Sequence, residues 1–237
     1  MICVCLPTYN ERENLEAMVD RLGEVLRADG VVLVIDDDSP DGTGEIADRL
    51  AADRVSVHVL HRPRKEGLGP AYLDGFRRAL ELGADLILEM DCDFSHDPAD
   101  VPRLVAAAED ADLVLGSRYV PGGGTRNWGA LRRLISRGGS LYAQLLLGVP
   151  IRDLTGGFKC YRRAVLEAID LDAIHSKGYA FQIETTYRAL RAGFRVVETP
   201  IVFVDREVGG SKMSNSIVLE AVWKVPALRL ASLRSRA

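Results

Sequence analysis

The chain has 237 residues, 47% of them hydrophobic, and a net charge of −4, which is length enough for one large domain with a proper core. Residues 1–117 carry 11 Lys/Arg against 25 Asp/Glu, a net of −14, whereas residues 118–237 carry 19 against 9, a net of +10. A general nucleic-acid binder is more often basic throughout, and no aromatic-studded basic groove is visible; an acidic half facing a basic half suits a site that holds a cation on one side and phosphate on the other.

Four cysteines, Cys3, Cys5, Cys92 and Cys160, lack zinc-like spacing. Cys3 and Cys5 alternate with Ile2, Val4 and Leu6 as packing thiols do, and the expected setting is reducing and cytosolic. The chain enters a strand at its second residue, so no signal peptide is expected. No uninterrupted apolar run approaches the ~20 residues a spanning helix needs.

Taken in order, Ile2–Leu6 reads as a strand and Pro7-Thr8-Tyr9-Asn10-Glu11 as the turn after it. Apolar residues at helical spacing (Leu15, Met18, Val19, Leu22, Leu26) predict a helix over Asn14–Ala28. Val31–Ile35 is a second strand running into Asp36-Asp37-Asp38-Ser39-Pro40-Asp41-Gly42-Thr43, with Thr43 placed to cap a helix that reaches Ala52. Val55–Leu60 is a third strand, Leu68–Leu82 a helix stopped by Gly83, and Leu86–Leu88 a fourth strand. Val101–Ala108 is helical and Leu113–Leu115 a fifth strand. Strands alternating with helices at these lengths predict right-handed βαβ units, hence an α/β fold on a parallel, doubly wound sheet. After Ser117 the pattern changes. Pro121–Gly124 reads as a flexible loop, Gly129–Gly148 as a helix, and Asp153–Lys159 as a turn with two adjacent glycines. Arg163–Ile169 and Phe181–Arg191 read as helices, and Arg195–Val204 as a last strand. Asp205–Ser216 is a polar loop, and Ile217–Leu233 a final helix interrupted at Pro226.

Ligands of such sheets bind at the carboxyl ends of the strands, and three acidic or polar turns (Pro7–Glu11, Asp36–Asp41, Asp91–Ser95) fall there. In the last of them Asp91 and Asp93 stand two apart just past the fourth strand, so an extended backbone sends both carboxylates to one side. Like charges that close repel unless a cation sits between them. Oxygen ligands suit magnesium or manganese, which shares its remaining positions with phosphate. An isolated Asp-x-Asp is more commonly a solvated acidic loop; its neighbours in this chain favour the metal.

Together, Pro7–Glu11, Ile35–Thr43, Asp91–Pro98, Gly116-Ser117-Arg118-Tyr119, Asp153–Phe158 and Asp205–Lys212 resemble the family-2 inverting glycosyltransferases. Within that family the match is closest to the dolichyl- or polyprenyl-phosphate mannose synthases, and it spans nearly the whole chain in the family's order. The resemblance implies a glycosyltransferase-A fold, Rossmann-like and mostly parallel, in a single domain over 1–237. That domain comprises a nucleotide-sugar and metal half (1–117), an acceptor half with a phosphate-closing loop (118–216) and an amphipathic C-terminal helix (217–237). Pro7, Tyr9, Glu11, Ile35 and Asp37 would hold the guanosine end of GDP-mannose, with turn and core packing the alternative for Pro7 and Ile35. Asp37 is better placed than Asp36, and Asp38 stands where the family pattern has glycine. Asp91 and Asp93 would place Mg2+ or Mn2+ on the diphosphate beside the Cys92 backbone, with Ser95 a third ligand or a helix-entry residue. Arg206 and Lys212, in a glycine-bearing loop, would close over the phosphates and neutralise the departing nucleoside diphosphate. Arg118 would serve donor and acceptor phosphate alike, the latter together with Arg132 and Ser136, which lie four apart on one helix face. His96 is assigned no role.

The implied reaction is attack by a dolichyl or polyprenyl monophosphate on the anomeric carbon of GDP-mannose, with Asp93, Arg206 and Lys212 carrying catalysis. A phosphomonoester has a second pKa of roughly 6, so this nucleophile needs no general base. The expected location is peripheral, on the cytosolic face of a membrane. The C-terminal helix is read as interfacial on anionic lipid, as packed on the protein's own core, or as meeting a membrane-embedded partner subunit. Three competing readings are a UDP-sugar hexosyltransferase, a nucleotidyltransferase and a phosphoacceptor receiver module. The second would carry a glycine-rich basic loop after the first strand, and Pro7–Glu11 is neither. The third is about half this length and leaves the basic half unexplained.

Overall fold

The computed structural model describes residues 1–26, 28–176, 178–205 and 215–234. In chain order its strands are β1 (Ile2–Thr8), β2 (Gly30–Asp36), β3 (Val57–His61), β4 (Leu86–Glu89), β5 (Leu113–Ser117), β6 (Gly124–Arg126), β7 (Lys159–Arg162), β8 (Val196–Pro200) and β9 (Val202–Val204). The main sheet runs β3-β2-β1-β4-β7-β5-β8, and β6 pairs with β9 in a small second sheet. Every pairing in the main sheet is parallel except those of β7, which is antiparallel to both neighbours.

Period-two alternation divides the core between the two faces. Ile2, Val4 and Leu6 of β1 pack with α1 (Leu15–Val25), α2 (Thr43–Asp53) and α4 (Val101–Ala107). Cys3 and Cys5 face the other way, towards α3 (Leu68–Glu81), α5 (Ala130–Leu147), α6 (Arg163–Ala168), α7 (Gly178–Arg191) and α8 (Asn215–Arg234). All four cysteines are buried, and burial pushes the Cys5 thiol well up and that of Cys160 to about 12, as befits packing groups. Helix α3 lies close on β2 because Gly75 has no side chain; a Cβ there would clash with Ile35 Cδ1.

The second half departs from the sequence expectations. Lys159–Arg162, of which the sequence reading places only Lys159, at the end of a turn, is a strand inside the sheet, and its reversed direction makes the sheet mostly rather than wholly parallel. The expected strand Arg195–Val204 is two strands: β8 extends the main sheet, and β9 leaves it after Ile201 to pair with β6, part of which was expected as loop. Helix α8 continues through Pro226. Proline lacks the N–H that would bond the carbonyl four residues back, and that carbonyl, Val222 O, instead accepts the Tyr142 hydroxyl at 2.8 Å.

Candidate active site

The carboxyl ends of β1, β2, β4 and β5, the 153–158 turn and the start of α7 surround a cavity of about 550 Å³. At one end it is lined by Pro7, Tyr9, Glu11, Asp37 and Lys65. The two neighbouring aspartates differ in role. Asp36 closes the turn, accepting from Ser39 Oγ at 2.6 Å and Ser39 N at 3.2 Å, whereas Asp37 faces the cavity and pairs with Arg62. Burial pushes the Asp37 carboxyl up, and Arg62 pulls it back. Arg62 also bonds Asp74 at 2.8 Å and Glu66 at 3.1 Å, so a buried guanidinium ties the loop after β3 to this rim. Lys65 lies 3.7 Å over the Tyr9 ring. Asp38 holds φ of 57°, the left-handed conformation for which glycine was expected. Ile35 is corrected: its side chain is fully buried in the core against Gly75 and does not line the cavity.

Midway along, Asp91, Cys92, Asp93, Ser95 and His96 form the rim beyond β4. Ser95 N–H donates to Asp93 Oδ1 at 3.0 Å, and His96 Nδ1 accepts from Asp91 N–H at 3.3 Å. An accepting Nδ1 is unprotonated, and burial holds the ring neutral by pushing its pKa down to about 4. The ring stacks on Phe158 and meets Phe203 edge-on. His96 therefore braces the loop that carries the two aspartates, a role its sequence position does not announce.

Arg118, Trp128, Arg132 and Asp205 line the far end. Arg118 is buried, with Nε 2.7 Å and Nη2 2.6 Å from the Asp153 carboxylate and Nη2 2.9 Å from Thr155 Oγ1. Burial favours its neutral form, but Asp153 more than offsets this and its pKa is raised. The pair ties the 153–158 turn to the end of β5. Arg132 lies 4.3 Å over the Trp128 ring and bonds Asp205 Oδ1 at 2.6 Å. It also lines a second, apolar slot of about 60 Å³ between α5, α7 and α8, together with Ile135, Ser136, Tyr142, Ile183 and Val222. Ser136 belongs to this slot, where its Oγ accepts from Tyr119 Oη at 2.7 Å. Arg206 and Lys212 lie outside the described residues.

The family model for glycosyl transferase family 2 matches residues 3–170. The chain belongs to glycosyl transferase family 2. An undecaprenyl-phosphate mannosyltransferase of Micrococcus luteus is 52% identical over 99% of this chain and 98% of its own length. A polyprenol monophosphomannose synthase of Mycolicibacterium smegmatis is 53% identical over 94% of this chain and 84% of its own. Among solved structures, glucosyl-3-phosphoglycerate synthase from Mycobacterium tuberculosis in complex with UDP superposes with a TM-score of 0.68 at 19% identity, covering 97% of this chain and 80% of that one. The same enzyme with Mn2+, UDP and glucosyl-3-phosphoglycerate gives 0.64 at 21% identity over 100% and 79%. These likenesses show the glycosyltransferase-A fold.

In this family-2 enzyme, sequence reading missed Arg62, Lys65, Trp128, Tyr179 and Gln182 at the site. The run Arg62-Pro63-Arg64-Lys65-Glu66-Gly67 after a strand was a usable signal, since it falls at the same sheet edge as the acidic turns. Tyr179 and Gln182, three apart at the start of α7, carried none that distinguishes them from core residues.

Proposed function

We propose that this glycosyltransferase moves mannose from GDP-mannose to a polyprenyl monophosphate with inversion at the anomeric carbon. The single observation that carries the reading is that Arg132 lines both the carboxylate-rimmed cavity and the apolar slot. An acceptor with an anionic head and a hydrocarbon tail matches that junction, and a free sugar does not. The names of the two curated relatives support the same acceptor and sugar. Glu11 and Asp37 would accept from nucleoside N–H or O–H groups, with Tyr9 and Pro7 as apolar cover.

Asp91 and Asp93 offer only hard carboxylate oxygens. Among the described residues no three His, Cys, Asp or Glu side chains are grouped so as to hold a metal ion by themselves, and an ion on two carboxylates keeps coordination positions for a diphosphate. The set fits Mg2+ or Mn2+, the ions named with the solved relative. Held by Asp91 and Asp93, such an ion would neutralise charge developing on the leaving nucleoside diphosphate. Arg206 and Lys212 are proposed for the same end of the site.

No general base is required. The described α7 side chains that line the cavity, Tyr179 and Gln182, are neutral; Glu184 turns away to Arg188 and Ser176; and Asp153 is held by Arg118. A phosphomonoester, with a second pKa of roughly 6, is already a dianion near neutrality, so the chain's part is to align it in line with the donor and keep water out. Arg132 and Ser136 are proposed to hold the acceptor phosphate. Arg118 would act there mainly as the brace for the 153–158 turn.

Among the described residues no helix is long and apolar enough to cross a membrane. Helix α5 nevertheless turns Leu131, Leu134, Leu141 and Leu145 outward, contains no Asp or Glu, and carries three arginines; α8 beside it exposes Trp223 and Leu230. This face would rest on the bilayer holding the acceptor and bring the slot to its headgroups. The test is incubation with labelled GDP-mannose or UDP-glucose and vesicle-borne polyprenyl phosphate, followed by lipid extraction. Mannosyl lipid is expected. Label carried only from UDP-glucose would overturn the donor, and none from either would overturn the reaction.

A further inference from the structure

Beneath the carboxylate pair lies a buried polar cluster that the reaction as described leaves unused. Glu89 ends β4 two residues before Asp91, and Lys159 opens β7 directly across from it. Both side chains are fully buried, with Lys159 Nζ 3.3 Å from Glu89 Oε1. The ammonium also donates to Gln182 Oε1 at 2.6 Å, to the Gln182 carbonyl at 2.8 Å and to Thr185 Oγ1 at 3.1 Å. The Tyr161 hydroxyl donates to Glu89 Oε1 at 3.1 Å. Apolar residues of similar volume often stabilise a core as well as a buried ion pair does, so the pair asks for a use beyond stability.

Its geometry supplies one. An ammonium can only donate and a carboxylate can only accept. The Gln182 amide lies between them, its oxygen on Lys159 and its nitrogen 3.5 Å from Glu89 Oε2. The flipped amide would set N–H against N–H and oxygen against carboxylate. Two charges thus dictate one orientation of a side chain that lines the cavity. The amide nitrogen carries two hydrogens, and Glu89 occupies at most one. Across from it Gly157, also on the cavity wall, has no side chain: a Cβ there would approach Gln182 Nε2 to 3.2 Å. Glycine at this point keeps a side chain from crowding the nitrogen on the cavity wall that both residues line.

We infer that Gln182 presents a fixed N–H to a substrate oxygen, and that Lys159 with Glu89 is the pair that positions it. Given the reaction proposed above, on which this inference rests for its substrate, the oxygen is a hydroxyl of the transferred sugar or a phosphoryl oxygen of the acceptor. Gln182→Met keeps the volume and removes the donor. Its affinity for GDP should match wild type by calorimetry, while kcat/KM for transfer falls about 10- to 100-fold, the range of one hydrogen bond to a polar or charged partner. Weaker binding of GDP-mannose relative to GDP assigns the hydroxyl; a raised KM for the lipid phosphate with donor affinity intact assigns the phosphoryl oxygen. Wild-type values for all of these, or a loss of GDP affinity equal to the loss of transfer, would overturn the inference.

Lys159→Met with Glu89→Gln removes both buried charges together. Combined with Gln182→Met it should lower transfer no further than the more damaging of its two parts, whereas general structural damage would multiply. If that variant does not fold, Gln182→Met alone decides. A wild-type chain that transfers no mannose would sink the reading of the reaction instead. Gln182 is then judged by whether Gln182→Met weakens whichever nucleotide sugar the wild type binds relative to its nucleotide, and an unchanged ratio counts against it.

Discussion

Arg118→Met separates two roles that one guanidinium can play at this site. In the structure Arg118 and Asp153 bury their side chains almost completely, to 5% and 0% exposure, and three N–H groups of Arg118, the backbone one included, reach the carboxylate at 2.6–2.9 Å. Methionine keeps most of the volume but leaves a carboxylate inside the protein with no counter-charge. Breaking one half of a buried pair costs about 3–5 kcal/mol. For a chain of this size each kcal/mol moves the midpoint by about 2–4 °C, so the melting temperature should fall by roughly 6–20 °C. Arg118→Met/Asp153→Leu, which removes both charges, should recover most of that loss. The assay is thermal unfolding without ligand, with GDP affinity and transfer measured well below the lower midpoint. If Arg118 were chiefly a phosphate ligand, the single variant would melt within about 2 °C of wild type and lose affinity for lipid phosphate alone. That pattern would refute the brace.

Asp91→Asn and Asp93→Ala should each lower transfer at least 100-fold while leaving the melting temperature within a few degrees, and chelation of divalent ions should silence the wild type reversibly; activity in excess EDTA would contradict this. Arg132→Ala should raise the KM for polyprenyl phosphate by about 10- to 100-fold, the span of a charge-assisted hydrogen bond, with GDP affinity unchanged by calorimetry. Leu134→Gln/Leu145→Gln should abolish flotation with anionic vesicles and cut transfer to vesicle-borne acceptor while sparing transfer to a short, water-soluble prenyl phosphate. Between pH 8 and pH 5 the rate at saturating donor should fall as the acceptor phosphate, with its second pKa of roughly 6, takes up a proton; a rate that rises through this window would point to a protonated nucleophile.

Much of the first half was legible because its signals are local. Short apolar runs alternating with amphipathic helices dictate βαβ units, and the sheet-edge rule then gathers the three acidic or polar turns, and with them Glu11, Asp37, Asp91 and Asp93, without any knowledge of distances. The second half resisted for physical reasons. Lys159–Arg162 holds two exposed-looking cations and only two apolar residues, and nothing local reveals that Lys159 finds Glu89 seventy residues earlier in the chain. Pro226 reads as a helix breaker because the hydroxyl that satisfies Val222 O comes from Tyr142, on another helix. Ile35 looked equally suited to covering a base and to filling the core; only the close approach of Gly75 decides for the core. Arg118 lines the cavity, but its pairing with Asp153, thirty-five residues on at the start of a turn, has no local sign in the sequence.

The most direct test of the whole account follows an oxygen atom. Polyprenyl phosphate labelled with 18O in its three terminal oxygens, supplied with unlabelled GDP-mannose, should give a β-mannosyl phosphate lipid that keeps every labelled oxygen, one of them bridging phosphorus to the anomeric carbon, while the released GDP contains none. Label recovered in GDP, or a product of retained configuration, would mean that the lipid phosphate does not attack that carbon in a single displacement.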